Sequence, residues 1–426
     1  MKLDLKDKCL KDVFFSAEFG LEKECLRIDK EGFISHTGHP FEDNPNIQKD
    51  FCESQTEFVT DVFNSAEEVC KNMKYLHKLA VETLRDLPTG REFLWPFSNP
   101  PYVRDERDIP VAIFNGDMHN KSLYREYLAE KYGKMKMLYS GIHFNFSFSE
   151  NFLKAIYKNT EKQSFSDFKN NVYLELSKKI VNYAWLIVYL TAASPVMDGS
   201  FLKSDAIGKS VLSGYSSARC SEIGYWNDFT PIISYNSLES YISSINDYVE
   251  SGRLRSASEL YYPVRLKPRG DNSLENLLKK GVNHIELRMF DDNPLSPIGI
   301  FEEDIKFIHI LILYLISKSD FNFDEELQIN AIKNEKTAAA FDDTKTIDFN
   351  GEIKSVREHA LDVVNDIEEF FKDFDLVSDI ISYQKDKIIN LEKRYANIIA
   401  DRFCEDYVKK GTLLSKKYAD DLLNEE

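Results

Sequence analysis

The sequence lacks the glycine-rich loops by which many proteins hold nucleotide phosphates. None of its 17 glycines falls in a G-x-x-x-x-G-K-[ST] or G-x-G-x-x-G pattern, so the backbone of such a loop is excluded as a phosphate site. Excess positive charge is also missing, because 71 acidic residues outnumber 54 basic ones and leave a net charge of −17. This charge argues against nucleic acid as a partner. Nucleotide triphosphates stay possible ligands if metal ions and a local group of basic side chains offset the charge.

Cysteine pairs and long apolar runs are missing as well. The six cysteines include no C-x-x-C pair and no regular spacing, which argues against a zinc site or a disulfide framework. The apolar stretches at 184–196 and 307–316 are interrupted or too short to span a bilayer. The first residues, MKLDLKDKCLKD, carry charges where a secretory signal has an apolar centre. We therefore expect a cytoplasmic protein without a membrane partner.

The chain is long enough, at 426 residues, for one large or two ordinary domains. No internal repeat or flexible linker divides it, so a single catalytic domain over 1–426 is the simplest description. Strands are predicted near 18–28, 51–60, 139–149, 261–269 and 283–290, and helices near 65–87, 119–132, 166–193, 302–318 and from 352 onward. Antiparallel strands combined with these helices predict an α+β fold.

The segment GVNHIELRMFDDNP combines an acid and a base on one strand face. If it is extended, His284, Glu286, Arg288 and Phe290 point one way and Ile285, Leu287 and Met289 point the other way, toward a core. A solvated face with a surface ion pair is one interpretation. The other is a binding face, because a metal-bound anionic substrate would fit between the two charges.

The same alternation recurs in four other segments. Polar faces are predicted to carry His143, Asn145 and Ser147; Glu22 and Glu24; Glu53, Gln55 and Glu57; and Arg265, Lys267 and Arg269. Several carboxylates with one histidine are ligands for hard cations such as Mg²⁺ or Mn²⁺, and a basic stripe suits phosphate. Because so many clustered carboxylates would repel one another, the pattern indicates divalent metal ions.

A series of short motifs resembles one enzyme family. In chain order, GLEKECLR, DFCESQTE, LWPFSNP, LYREYL, SGIHFNFSF, SARCSEIGYWN, YPVRLK and HIELRMFDDNPLSPIG resemble the motifs of bacterial glutamate-cysteine ligase. The resemblance covers roughly 18–305 and is weak in the C-terminal helices. It implies a glutamine-synthetase-like fold, in which a curved antiparallel sheet at 18–305 forms a cradle and 306–426 is a mainly helical scaffold.

The resemblance also implies roles for individual residues. The metal ligands would be Glu22, Glu24, Asp50, Glu57, His143 and Glu286, of which Asp50 is expected just before its strand. The substrate contacts would be Tyr124, Arg219, Tyr225, Tyr262 and Arg288, with Arg265 and Lys267 near the phosphates and with Glu286, Arg288 and Lys267 in catalytic roles. Burial in the core is the alternative for each tyrosine, since the chain has 22 of them.

The implied reaction joins the γ-carboxyl of L-glutamate to the amine of L-cysteine through a γ-glutamyl phosphate, with ATP and two or three Mg²⁺ or Mn²⁺ ions. The expected partners are these small molecules alone, bound by a monomer. Glutathione itself is not expected as the product, because the chain is too short for a second ligase domain. Two alternatives stay open: a γ-glutamyl ligase for another amine, and a non-catalytic regulator that binds nucleotide or metal.

Overall fold

A computed structural model describes residues 8–41, 44–157, 163–202 and 208–425. Most of the charged N-terminal segment considered above lies outside the described residues. The strands are β1 Ala17–Ile28, β2 Ile47–Lys49, β3 Gln55–Val59, β4 Phe93–Leu94, β5 Gly141–Phe148, β6 Val196–Asp198, β7 Ser210–Leu212, β8 Val264–Lys267, β9 His284–Asp291, β10 Thr346–Phe349 and β11 Glu352–Ser355. The helices are α1 Lys8–Val13, α2 Ala66–Arg85, α3 His119–Tyr132, α4 Glu150–Tyr157, α5 Phe165–Thr191, α6 Leu238–Glu250, α7 Leu274–Lys280, α8 Glu302–Ser317, α9 Glu325–Ala338, α10 Val356–Phe370, α11 Ser378–Ile389, α12 Tyr395–Phe403 and α13 Tyr407–Asn424.

One antiparallel sheet organises the fold. Its strand order is β2-β3-β1-β5-β9-β8, and β4 pairs with the end of β1. Helix α5 packs against the strands β8 and β9 and against the helices α8 and α9. The predicted α+β class with an antiparallel sheet is confirmed.

The long helices begin where the sequence predicts. The Ser65 hydroxyl accepts a hydrogen bond from the Glu68 backbone N–H and caps α2, and two glutamates in the first turn favour the positive end of the helix dipole. Helix α5 starts after a similar cap at Ser164 and is buried on almost every side. Within the described residues, no helix is both long enough and apolar enough to cross a membrane.

A β-bulge changes the predicted faces of β9. Ile142 pairs with Phe290, but beyond His143 the register has shifted by one residue. Arg288 and Met289 therefore both oppose His143. The prediction that Phe290 shares the polar face is wrong, because the extra residue turns it toward the core, where it is 2% exposed. Arg288 keeps its predicted side.

The prediction for Glu53 is also wrong. Strand β3 begins only at Gln55, so Glu53 lies in the preceding turn and not on the face of Glu57. Its carboxylate accepts hydrogen bonds from the backbone N–H groups of Ile113, at 2.8 Å, and His39, at 3.2 Å. Turn geometry overrode the alternation in this segment.

The C-terminal part is mainly helical but includes the hairpin β10–β11. Helix α13, the last helix, packs against the earlier elements α2, β4 and β6. There the Tyr407 hydroxyl donates to the Asn99 carbonyl at 2.8 Å, and the Tyr407 ring meets Trp95 edge-on. Gly411 permits this contact, because a Cβ there would lie 2.3 Å from the Trp95 ring. The predicted boundary at residue 305 stays a prediction.

Candidate active site

The polar face of the sheet forms the floor of a cavity of about 570 Å³. Strands β1, β3, β5, β8 and β9 supply its floor, and α3 with the segments before β5 and β8 supplies its walls. Eleven of the thirteen predicted site residues line it: Glu22, Glu24, Asp50, Glu57, Tyr124, His143, Arg219, Tyr225, Lys267, Glu286 and Arg288.

Sheet register brings together three side chains of the types that bind metal ions. Glu22 pairs across the strands with His143, and Glu24 pairs with Glu57. Ligand atoms of Glu22, Glu57 and His143 all lie within 4.8 Å of one another. The His143 Nδ1 atom is 3.2 Å from Glu22, and its Nε2 atom is 3.8 Å from Glu24.

Burial and mutual repulsion disfavour negative charge on part of this cluster. Burial, with the nearby Asp50, raises the pKa of Glu24 to about 8. Burial also raises the pKa of Glu57 well above its ordinary value, and Asp50, Glu22 and Glu24 add to the effect. Burial, with Arg288, lowers the pKa of His143 to about 4, so its imidazole is neutral at pH 7.

The donor set fits a hard divalent cation. Carboxylate oxygens of Glu22 and Glu57 with a neutral imidazole of His143 are suitable ligands for Mg²⁺ or Mn²⁺. A cation at this position would replace the protons that Glu24 and Glu57 otherwise retain, because metal binding requires deprotonated ligands.

Glu286 lies between two cations on the same floor. Its Oε2 atom is 2.6 Å from the Lys267 ammonium and its Oε1 atom is 2.5 Å from the Arg288 guanidinium. Burial opposes the charge of Glu286, but these two cations overcome it and hold its pKa well below the ordinary range. The carboxylate is therefore ionised, and it orients Lys267 and Arg288 at the floor of the cavity.

The walls carry guanidinium and phenol groups. Arg125 on α3 pairs with Asp50 at 2.7 Å. The Arg219 guanidinium donates to the Arg288 carbonyl at 2.6 Å, which fixes it beside the floor. The Tyr225 hydroxyl donates to that of Tyr261 at 2.9 Å. Fixed donors of this kind suit the carboxylate of an amino acid.

Two predicted site residues do not line the cavity. Arg265 donates to the backbone carbonyls of Ser258 and Leu260 and thereby holds the segment that leads to Tyr261. Tyr262 is 4% exposed and points to the core side, with its hydroxyl 3.4 Å from the Gln328 side chain. Tyr261, the preceding residue, lines the cavity, and both tyrosines line a small space that adjoins it.

The sequence interpretation missed several lining residues. On α3, four positions face the cavity: Lys121, Tyr124, Arg125 and Leu128. Their spacing of three and four residues is that of one helix face, so the choice of Tyr124 could have led to Arg125. Asp271 and Asn272, in the loop after β8, gave no such signal because a loop has no period.

The chain matches the sequence profile of the family described as glutamate-cysteine ligase over residues 3–338. A bifunctional glutathione biosynthesis protein of Listeria welshimeri is 40% identical over 347 residues, which are 78% of this chain and 44% of that protein. One from Clostridium perfringens is 34% identical over 443 residues, covering 99% of this chain and 56% of that protein. The chain thus spans about half the length of the curated relatives that it matches.

Solved structures agree on the fold. The bifunctional glutathione synthetase of Pasteurella multocida superposes with a TM-score of 0.84 at 28% identity, over 98% of this chain and 54% of that one. The glutamate-cysteine ligase of Francisella tularensis, solved in complex with AMP, superposes with a TM-score of 0.84 at 23% identity, over 96% of this chain and 90% of that one. Fold, motifs and family profile agree, and the chain belongs to the glutamate-cysteine ligase family.

Proposed function

We propose that this protein joins the γ-carboxyl of L-glutamate to the amine of L-cysteine at the expense of ATP, with ADP and phosphate as products. The observation that supports it best is the shared sheet face. It brings Glu22, Glu57 and His143 within 4.8 Å of one another beside the paired cations Lys267 and Arg288. Family membership supports the reaction type.

The chemistry begins with an unreactive carboxylate. Its oxygen attacks the γ-phosphorus of ATP, the bond from that phosphorus to the bridging oxygen breaks, and ADP leaves. The resulting acyl phosphate is open to an amine. Divalent ions would be held by Glu22, Glu24, Asp50, Glu57, His143 and Glu286, and when bound they supply charge neutralisation between the two anions and stabilise the transferring group.

The side chains of the chain itself then have distinct tasks. Lys267 and Arg288 neutralise the charge that develops on the phosphoryl oxygens, and Glu286 keeps both at fixed positions. Arg219, Tyr124 and Tyr225 orient the amino acid substrates from the walls. The second amino acid supplies its amine to the acyl carbon, the C–N bond forms and phosphate leaves.

A panel of amines tests the proposal. The purified protein, with ATP, Mg²⁺ and L-glutamate, is offered L-cysteine, 2-aminobutyrate and other small amines while ADP, phosphate and pyrophosphate are measured. We expect phosphate rather than pyrophosphate, the highest kcat/KM with L-cysteine, and turnover of 2-aminobutyrate as well. A pocket discriminates a single small group by only about 1–3 kcal/mol.

Each alternative gives a different result in the same assay. A preferred amine other than cysteine would indicate a related γ-glutamyl ligase. Nucleotide binding without turnover for any amine would indicate the non-catalytic regulator. Pyrophosphate release would refute the acyl phosphate, since it requires an adenylate intermediate.

A trapping experiment addresses the intermediate directly. With ATP and L-glutamate but no amino acid acceptor, hydroxylamine is expected to capture the acyl phosphate as a γ-hydroxamate. If ADP forms only when the acceptor amine is present and no hydroxamate accumulates, the stepwise order is wrong.

A further inference from the structure

A small second chamber adjoins the cavity. It has a volume of about 40 Å³, and four residues line both spaces: Arg219, Tyr225, Tyr261 and Arg288. Helix α9 contributes Glu335 to the chamber wall. The chamber is thus an extension of the site away from the metal-ligating cluster, and Glu335 is its carboxylate.

Glu335 is a buried acid without a fixed partner. It is 2% exposed, and in the described part of the chain its Oε2 atom has no hydrogen-bond partner. Such an atom costs free energy unless a ligand or water binds it. Burial raises the pKa of Glu335 to about 8, although Lys336 and Arg219 oppose the shift. Glu335 therefore binds a proton more tightly than an ordinary carboxylate does, and its affinity is closer to that of an amine.

The other groups around the chamber cannot play the same role. The Arg219 and Arg288 guanidinium groups stay protonated. Burial raises the pKa of Tyr225 and of Tyr261, so their hydroxyls keep their protons at neutral pH. The Cys220 thiol already donates to the Met289 carbonyl, and burial raises its pKa to about 12.

The carboxylates of the main cavity are committed elsewhere. Glu286 has an ion pair on each oxygen, and Asp50 is paired with Arg125. Glu22 and Glu57 form the candidate metal cluster with His143. Glu24 belongs with this cluster, because it lies 3.8 Å from the His143 Nε2 atom, and Asp271 lies in the loop after β8. Among the described carboxylates that line either space, Glu335 is the one that lines the chamber.

We propose that Glu335 is the catalytic base that takes a proton from the ammonium group of the acceptor amino acid. This role rests on the proposed ligase function. The ionised form of Glu335, whose fraction grows as the pH rises toward 8, takes one proton from the ammonium. The resulting neutral amine attacks the acyl carbon of the γ-glutamyl phosphate with its nitrogen lone pair. The C–N bond forms, the bond from carbon to the phosphate oxygen breaks, and the second nitrogen proton leaves with the phosphate. Glu335 returns its own proton to water when the product departs.

Hydroxylamine separates this role from a structural one. It is a weak base and is already unprotonated at neutral pH, so its reaction with the acyl phosphate does not require the first proton transfer. The amino acid acceptor does require it. The ratio of the two rates in one preparation therefore measures base catalysis and cancels errors in protein concentration or folding.

The experiment compares Glu335→Gln with the wild type and with Glu326→Gln, an exposed carboxylate on the same helix. Each protein, with Mg²⁺, ATP and L-glutamate, is assayed with 2-aminobutyrate and with hydroxylamine. We expect Glu335→Gln to lower kcat/KM for 2-aminobutyrate by about 10²–10⁴-fold, while its hydroxamate formation and the activities of Glu326→Gln stay close to wild type. An equal loss with both acceptors, or no loss, would overturn the role.

Glu335→Asp is the second variant if Glu335→Gln does not fold. It keeps a carboxylate but shortens the side chain by one methylene. The ratio of the rate with 2-aminobutyrate to the rate with hydroxylamine should therefore fall below that of wild type, but not as far as in an enzyme without the base. A ratio equal to that of wild type would contradict the proposal. Failure of the wild type to form a γ-glutamyl product with any amine would overturn the ligase function itself, which is a distinct result.

Discussion

At the scale of single residues, the placement of Glu286 between Lys267 and Arg288 makes the strongest prediction. Glu286→Gln and Arg288→Lys should each lower kcat/KM by about 10²-fold or more, because one loses the orienting carboxylate and the other the planar donor geometry. Activity and thermal unfolding are measured on the same preparations. Some loss of Tm is expected for Glu286→Gln, since two cations then lack a partner.

The control for this pair is Glu150→Gln, which removes one partner of an exposed ion pair with Lys154. It should change neither activity nor Tm appreciably. If Arg288→Lys retains full activity in a folded protein, the proposed contact between Arg288 and the phosphoryl group is wrong.

Glu24 links stability to pH in the metal-free protein. Its folded-state pKa is about 8, above its ordinary value of 4.5, so the folded state binds a proton more tightly than the unfolded state. The contribution of Glu24 to the stability should therefore be greatest below pH 4.5 and should fall as the pH rises toward 8. Thermal unfolding in chelator is the measurement. Glu24→Gln should flatten the profile in this window, and a slope unchanged from wild type would contradict the assignment.

Gly141 provides space for the Arg219 guanidinium, which lines the cavity. A Cβ at this position would lie 2.5 Å from Nε and Cζ of Arg219 and 2.8 Å from the Phe290 carbonyl. Gly141→Ala should displace Arg219 and raise the KM of an amino acid substrate by about tenfold or more, consistent with a lost charge-assisted contact. Gly38→Ala, where a Cβ meets nothing within 4 Å, is the matched control. An unchanged KM in both variants would remove Arg219 from the proposed substrate contacts.

At the scale of elements, a buried ion pair connects the C-terminal helices to the sheet-backing helices. Lys387 on α11 is 3.0 Å from Asp304 on α8, and it also donates to the Leu190 carbonyl at the end of α5. Lys387→Met leaves Asp304 as a buried charge and should cost about 3–5 kcal/mol of unfolding free energy. Lys385→Met, on the same helix α11, removes a partly exposed ion pair with Glu368 and should cost much less. Denaturant titration compares the two, and equal losses would show that burial of the pair is unimportant.

The sequence predicts a strand or helix correctly where the local residue pattern alone determines its geometry. Alternation predicts the polar face of β5, and the sequence pattern predicts a helix from near residue 65; both are confirmed. The orientation of Phe290 and the position of Glu53 depend on a bulge and a turn, which arise from pairing between distant strands. The same limit explains Tyr262, because only the tertiary fold decides which of two adjacent tyrosines faces the cavity.

At the scale of the whole molecule, divalent ions should stabilise the folded chain in the absence of substrates. The carboxylates of the cavity floor converge only in the folded state, so Mg²⁺ or Mn²⁺ should raise Tm by mass action. No turnover is expected in excess chelator, and Ca²⁺ should support little activity because its longer and looser coordination misplaces the phosphates. The measurements are thermal unfolding and ADP release across a series of metal ions. Full turnover in chelator would contradict the metal requirement.

The strand order of the central sheet has a consequence for synthesis on the ribosome. Strand β1 is made first among the sheet strands, yet its neighbour β5 follows more than a hundred residues later, and β9 ends only at Asp291. Strand β3 lies close to β1 in sequence and can pair with it early. Because long loops must close before β5 and β9 join, a nascent chain should lack the complete polar face of the sheet until β9 has emerged. Stalled chains that end before β9 should be cut readily by protease within β5, because the edge of β5 that pairs with β9 is then open, whereas chains that include β9 and α13 should resist. The candidate metal ligands on β1, β3, β5 and β9 would thus come together only after β9 has been made.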